Sequence, residues 1–312
     1  MKKIKFIFIT FVLIGNLTIF NCNGQQLPQY TQWATHQFSF NPAHAGIKPC
    51  VDIQTLARYQ WTTVSGAPRS GFATLSVPLH AGRSDYLSAR HGIGAKVEYD
   101  HIGQFITNKV NLAYAGHFNF SRDTRLSLGM YAGFLHFGYN PKNSITIDPD
   151  PIVLSEVSRI IPDATFGSWW NGRNYYFGLS IQNLLRGKWK GIGMDSRYRW
   201  QTYIDAGYRQ KISSEVTLLP SILFKIPTRG PVSFDFNLMY DYNNVVGFGV
   251  GYRYIDALLG FFYIKLNQQL HIQYSVDYVI SPLAKGMSHE VSINFATCKP
   301  RITGTTKTAL FE

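Results

Sequence analysis

Nine histidines, three cysteines and one glycine-dense run are the residues of this 312-residue chain whose types could do chemistry. A zinc site needs ligands that converge on one tetrahedral ion, which in sequence reads as H-x-x-x-H, HExxH or closely paired cysteines. The histidines, from His36 to His289, stand at none of these spacings, and Cys50 and Cys298 are far apart. No metal and no cofactor is expected. "GFGVGY" (Gly247 to Tyr252) has the glycines of a phosphate-cradling loop but neither its lysine nor a helix behind it. It reads instead as a strand in which small residues let aromatics pack. "SGAPRSG" (Ser65 to Gly71) offers serines with no acid or base at useful spacing. The chain is therefore not expected to be an enzyme.

The elements that carry these residues repeat with period two. "VSFDFNLMYD" puts Val232, Phe234, Phe236, Leu238 and Tyr240 on one face and Ser233, Asp235, Asn237, Met239 and Asp241 on the other. "LHIQYSVDYVI" and "HGIGAKVEYD" alternate in the same way. Such alternation is the signature of strands with two unlike faces. About fourteen segments of this kind run from 51–61 to 288–296, most of them ~9–12 residues long, the length of a tilted membrane-spanning strand rather than the ~5–6 of a soluble one. The predicted fold is all-β, a closed antiparallel transmembrane β-barrel of about 14 strands. Closure is required because lipid offers no partner to an unpaired strand edge.

Charge and turn placement agree with that reading. Asp52, Arg58, Lys96, Glu98, Asp205, Arg209, Lys225, Asp235, Arg253, Lys265 and Asp277 share the inward register. On the lipid face an Arg or Lys costs ~2–4 kcal/mol at the midplane. Both signs occur inside, beside bulky Tyr203, Phe261 and Tyr263, which predicts a filled or narrow lumen. "SRDT", Asn171–Gly172, Ser213–Ser214, "YNN" and "NQQ" make tight turns at one end, taken as periplasmic. The long connections 138–161 and 184–198 fall at the other end, taken as extracellular, and only 80–90 breaks the rule. Cys50 precedes the first strand and Cys298 follows the last. These strands are neighbours in a closed barrel, so a disulfide can form if the Cα atoms lie within ~7 Å. Two unpaired thiols are the alternative.

The start of the chain does not alternate. Lys2, Lys3 and Lys5 precede an apolar run to Phe20, and Cys22 and Gly24 suit a cut before Gln25, so residues 1–24 read as a signal peptide. An uncleaved anchor and a lipidated Cys22 are the alternatives. Residues 25–49 follow as a pre-barrel segment, 50–298 as the barrel and 299–312 as a flexible periplasmic tail. Within the segment "YTQWATHQF" suits about two helical turns, stopped at Asn41-Pro42 because the residue before proline avoids the α region. The segment is too aromatic to float in water, and is expected to sit at or in the periplasmic mouth as a plug. A disordered leader is the alternative. The formal charge of +12 is dispersed among aromatics and glycines, without a dense Lys/Arg run, so no nucleic-acid partner is expected.

Four stretches, "PQYTQW" (Pro28 to Trp33), "FSFNPAHAG" (Phe38 to Gly46), "ARYQW" (Ala57 to Trp61) and "GAPRSGFATLSVPL" (Gly66 to Leu79), resemble the PorP/SprF family, outer-membrane proteins of the type IX secretion system in Bacteroidota. Pro28, Tyr30, Gln32, Asn41, Pro42, Gly46, Arg58, Gln60, Trp61 and Pro68 match the family pattern in order and spacing. Arg69 replaces a more usual Thr, and His44 a common Tyr. The resemblance implies an integral outer-membrane protein, noncatalytic, that supports export and surface attachment of a partner such as a gliding adhesin. Its implied partners are a secreted surface protein with a type IX sorting domain, periplasmic components of the apparatus, and outer-membrane lipid. The residues themselves offer one outward surface for an acidic or glycan-bearing partner, the basic and aromatic group Arg186, Lys188, Trp189, Lys190, Arg197 and Arg199. A passive or substrate-specific porin is the competing function.

Overall fold

A computed structural model of the chain describes residues 27–79, 89–121, 123–141, 156–191, 194–281 and 286–298. The expected signal peptide (1–24), the tail (299–312) and the "DPDP" stretch of the first long connection lie outside these residues.

The strands are Asp52–Tyr59 (β1), Arg69–Leu79 (β2), Arg90–Ile102 (β3), Phe105–Asn119 (β4), Arg125–Tyr139 (β5), Val157–Asn171 (β6) and Tyr175–Gln182 (β7). Lys188–Gly191 (β8) and Met194–Arg197 (β9) form a small separate hairpin. The barrel continues with Gln201–Tyr208 (β10), Gln210–Lys211 (β11), Val216–Pro227 (β12), Ser233–Tyr242 (β13), Val246–Arg253 (β14), Ala257–Lys265 (β15), Leu270–Val279 (β16) and Met287–Ala296 (β17). All pairings are antiparallel. β1 pairs with β17, and β10 pairs with both β7 and β12, so the sheet closes on itself. β10 and β11 are one strand, since both keep the same register against β12 and the Arg209 N–H between them continues the pairing with β7 by donating to Asn174 O (2.7 Å). Counted so, the barrel has 14 strands.

Alternation fixes which face each side chain takes. In β1, Asp52, Gln54, Leu56 and Arg58 are buried while Ile53, Thr55, Ala57 and Tyr59 are exposed. Around the outside run Val110, Leu112, Phe134, Phe248, Val250, Val291 and Ile293, an apolar belt that lipid can cover. Aromatics flank it at both ends, Phe118, Phe120 and Tyr175 at one and Tyr59, Phe105 and Tyr254 at the other. Every charged residue expected to face inward is buried except Lys265, which is half-buried near the end of β15.

Three sequence boundaries change. The connection expected over 138–161 is shorter, because β5 and β6 continue their ladder to the pair Tyr139↔Val157. Inward Leu135, Phe137, Tyr139, Val157 and Ile161 cluster there with Tyr198 and hold the extension. The 184–198 connection contains the β8–β9 hairpin, with Lys188 opposite Arg197. The expected 80–90 connection lies mostly outside the described residues, and β3 begins at Arg90.

A disulfide joins Cys50 to Cys298 with their Cα atoms 5.1 Å apart, fastening the β1–β17 seam beyond its last backbone bonds. It closes a loop of 248 residues. On the chain-entropy account a loop of that length stabilises by about 5 kcal/mol. The Cys50→Ser/Cys298→Ser double variant is expected to keep the heat-modifiable gel mobility of a folded barrel but to unfold at clearly lower urea. An unchanged midpoint would mean that the β1–β17 ladder alone holds the seam.

Candidate functional site

Residues 27–47 lie inside the barrel. The segment has no α-helix. It folds as turns over 31–35 and two 3₁₀ turns, Gln37–Ser39 and Pro42–His44. The expected two helical turns do not form, and Asn41-Pro42 starts a turn rather than ending one. Pro42 occupies the first position, where its missing N–H costs nothing, and the Asn41 side chain caps it by accepting from Ala43 N (3.1 Å).

The centre of the site is Thr31. Its hydroxyl donates to Asp277 Oδ1 (2.7 Å) and accepts from Arg58 Nη1 (3.0 Å) and Arg253 Nη2 (2.9 Å). The backbone N–H groups of Thr31 and Gln32 donate to the two oxygens of Glu290 (2.7 and 3.0 Å). Behind them the wall carries a continuous ion network. Arg58 bridges Asp277 (2.7 Å) and Glu290 (2.5 Å), Arg253 bridges Asp277 (3.0 Å) and Asp235 (3.2 Å), and Lys225 reaches Asp235 (2.7 Å). Among the buried members three cations face three carboxylates, so the buried network is neutral, which makes its burial tolerable, and partly exposed Asp256 touches Arg253 at its edge (3.5 Å). Strand positions set this up: Arg58, Arg253, Asp277 and Glu290 sit near the same end of β1, β14, β16 and β17, away from the disulfide.

The rest of the segment is tied to strands all round the lumen. Lys225 donates to Gln29 (3.1 Å) and Tyr30 OH to Glu98 (3.2 Å). Gln32 donates to Ser275 (3.2 Å) and accepts from Ser292 (2.6 Å). Lys96 donates to Ser39 O (2.7 Å), Tyr131 OH to Phe38 O, and Gln182 to Phe40 O (3.3 Å). Asn41 donates to Ser168 O (3.0 Å), His117 to Ala45 O (2.8 Å), and Gly46 N to Ser76 (2.7 Å). Trp33 fills the space between Tyr203 and Leu223.

Two glycine contacts let the backbones meet. Gly129 and Gly167 face each other across β5 and β6, and Pro42 rests on both. A Cβ at Gly129 would lie 2.5 Å from Pro42 C, and one at Gly167 2.7 Å from Pro42 Cδ. Gly46 has φ +65°, and a Cβ there would meet Gly92 Cα at 2.5 Å.

The structure divides the residues singled out in the sequence. Tyr30, Gln32, Asn41, Pro42, Gly46 and Arg58 belong to the lumenal site, and Pro28 lines a recess beside it with Tyr30, Trp33 and Phe40. Gln60, Trp61 and Pro68 instead build the β1–β2 turn, where Gln60 N bonds Pro68 O (3.0 Å) and Trp61, at φ 48°, bonds Ser288 (3.1 Å). Arg186, Lys188, Arg197 and Arg199 flank or lie on the β8–β9 hairpin, and the Arg186 guanidinium stacks over Trp200 at 5.5 Å. The side chains of Trp189 and Lys190 lie outside those described. Sequence reasoning did not single out Thr31, nor the Gly129–Gly167 seat. Glu290 had a signal: it alternates with outward Val291, Ile293 and Phe295.

Burial, with the nearby His117 and Lys48, lowers the His44 pKa to about 3, and burial lowers that of His36. Both are therefore neutral in place. An unfolded histidine titrates near ~6.5, so this stabilisation is complete above that pH and drains away as pH falls toward the folded value. The protein is expected to lose urea resistance progressively below about pH 6.5, and His44→Phe to flatten that slope, read by tryptophan fluorescence since His44 lies 4.1 Å from the Trp169 ring. Arg58→Met leaves Glu290 without its cation and is expected to cost about 3–5 kcal/mol, whereas Thr31→Val is expected to cost about 2–3 kcal/mol, both by urea titration in detergent.

A family model described as type IX secretion system membrane protein PorP/SprF matches residues 22–295. Among curated proteins none matches significantly. Solved structures of similar architecture include the toluene transporter TbuX of Ralstonia pickettii (9% identity, 82% of this chain and 92% of that one, TM-score 0.47). A FadL homologue of Pseudomonas aeruginosa gives 10%, 87%, 95% and 0.45. The translocator domain of the autotransporter NalP of Neisseria meningitidis gives 10%, 94%, 95% and 0.39. At these scores no function carries over from them.

Proposed function

Because the chain belongs to the PorP/SprF family of type IX secretion system membrane proteins and is an integral outer-membrane barrel, we propose that it is a noncatalytic scaffold of that system, one that supports export and surface attachment of a partner protein. The partner is a secreted surface protein with a type IX sorting domain, for example an adhesin. Periplasmic components of the apparatus dock at the end that carries the disulfide, and the exposed Arg186, Lys188 and Arg197 face outward to an acidic or glycan-bearing partner. The observation that supports a scaffold over a porin is the lumen, where residues 27–47 bond to β1–β7 and to β12, β14, β16 and β17. A pore for solutes needs a continuous water-lined path, and this segment takes that space.

The first test is a mild-detergent pull-down of the tagged chain from outer membranes, read by mass spectrometry. Recovery of a large surface protein with a type IX sorting domain, or of periplasmic components of the apparatus, is expected. Recovery of the barrel alone, repeated after crosslinking, would move the porin ahead. In planar bilayers the intact chain is expected to conduct poorly and a chain lacking 28–46 to conduct well. Equal conductance would count against a plug.

A further inference from the structure

The lumenal segment does not fill the disulfide end evenly. Its Pro42–His44 turn lies against β4, β5 and β6. Across the mouth, the inward positions of β15, β16, β17 and β1 keep their own polar groups and leave a cleft between wall and segment. Ladder pairs make that wall continuous: Lys265 is opposite His271, Tyr263 opposite Gln273, and Gln54 opposite Asn294.

Several buried polar atoms of residues lining the cleft are left without a hydrogen-bond partner, and three of them are Gln273 Nε2, Gln54 Oε1 and His44 Nε2. All three side chains are otherwise held, Gln273 by Thr35 (2.8 Å), Gln54 by Asp52 (2.8 Å) and His44 by its ring contact with Trp169. A buried polar atom without a partner costs free energy, so each of these is poised for a group entering the cleft. Two of them offer a donor and an acceptor on carboxamides, the pair that matches a peptide group. Charge adds a preference. Lys48 is neutralised by Asp52 (2.7 Å), whereas Lys265 donates to the Asn244 amide and has no carboxylate at ion-pair distance among the described residues.

From this we infer that the cleft at the disulfide end is a docking site for a peptide segment carrying a carboxylate side chain, with the carboxylate meeting Lys265 and the peptide groups meeting Gln273 and Gln54. The inference rests on the proposed scaffold role for which side of the membrane the cleft faces, and it names the kind of segment a periplasmic partner would present. A saccharide is the rival occupant, since carboxamides also read hydroxyl groups, but the unpaired cation favours an anion.

The test uses the full chain in lipid nanodiscs and microscale thermophoresis, with no other secretion component present. The probes are the capped acidic peptide acetyl-(Gly-Glu)₃-amide, its neutral counterpart acetyl-(Gly-Gln)₃-amide, and chitotetraose. The acidic peptide is expected to bind about tenfold tighter than the neutral one, and Lys265→Glu to remove that difference. Gln273→Leu weakens both peptides, and Lys188→Glu at the opposite end changes neither. Gel mobility confirms that each variant is folded, and Lys265→Gln replaces Lys265→Glu if the latter is not. Equal binding of the two peptides, preference for chitotetraose, indifference to both Lys265 variants, or no binding would each overturn the inference. The pull-down can fail while this binding succeeds, and the reverse, so the two readings are separable.

Discussion

The Thr31 hydroxyl stands where two guanidinium groups and a carboxylate converge, and the organisation of the lumen depends on that meeting. Inside a barrel wall, period-two alternation forces every second residue inward, whatever its polarity. Six charged side chains are placed there by β1, β12, β13, β14, β16 and β17. Left to themselves, they would need water. The wall pairs them into a neutral chain, and Thr31 and Gln32 supply the hydrogen bonds that the pairing leaves over: a hydroxyl for Arg58, Arg253 and Asp277, and two backbone N–H groups for Glu290. The segment is thus held by groups of the wrong polarity for the lipid face, which is why it is inside.

That arrangement also explains the segment's lack of regular structure. A helix over 30–38 would leave the first-turn Thr31 and Gln32 amides open to Glu290 as well, but continued past Phe38 it would withdraw the Ser39 and Phe40 carbonyls from Lys96 and Gln182 of the wall. An added strand would need an open edge, and the closed sheet has none. What remains is a chain of turns whose backbone groups bond outward to the wall, at Ser39, Phe40, Ala45 and Gly46 among others. Turns need more room in some directions than in others, and the paired glycines of β5 and β6 supply it under Pro42.

The barrel was legible in the sequence because its two faces meet different solvents, so each strand records its orientation residue by residue. The inward set from Asp52 to Asp277 followed from parity alone. Where strands leave the bilayer that contrast weakens. "SEVSRIIPD" reads as a connection because it mixes charge, proline and apolar residues, yet Val157 and Ile161 continue β6 by packing on Phe137 and Tyr139. The lumenal site was legible in part. Gln32, Asn41 and Arg58 stood out through motif resemblance, but nothing local marks Thr31. Its importance comes from Arg58, Arg253, Asp277 and Glu290, which lie between 27 and 259 residues away in the chain. Only closure of the sheet brings them together.

The energetics separate two properties of the segment. If residues 27–47 left the lumen, water would enter and rehydrate the charges, and the wall's own ion pairs would persist because the strands hold them. The network is therefore formed by the barrel and read by the segment, rather than created by it. The loss would fall on the direct bonds at Thr31 and Gln32 and on the burial of Trp33 and Phe38, which are almost fully enclosed. A neutral network favours one placement of the segment, since shifting Thr31 by one position removes its hydroxyl from both guanidinium groups at once. The same reasoning limits what the middle of the barrel can offer a partner. Its charged groups from Lys225 to Glu290 are paired with one another, whereas Gln54, Gln273 and His44 at the disulfide end keep unpartnered atoms beside Lys265.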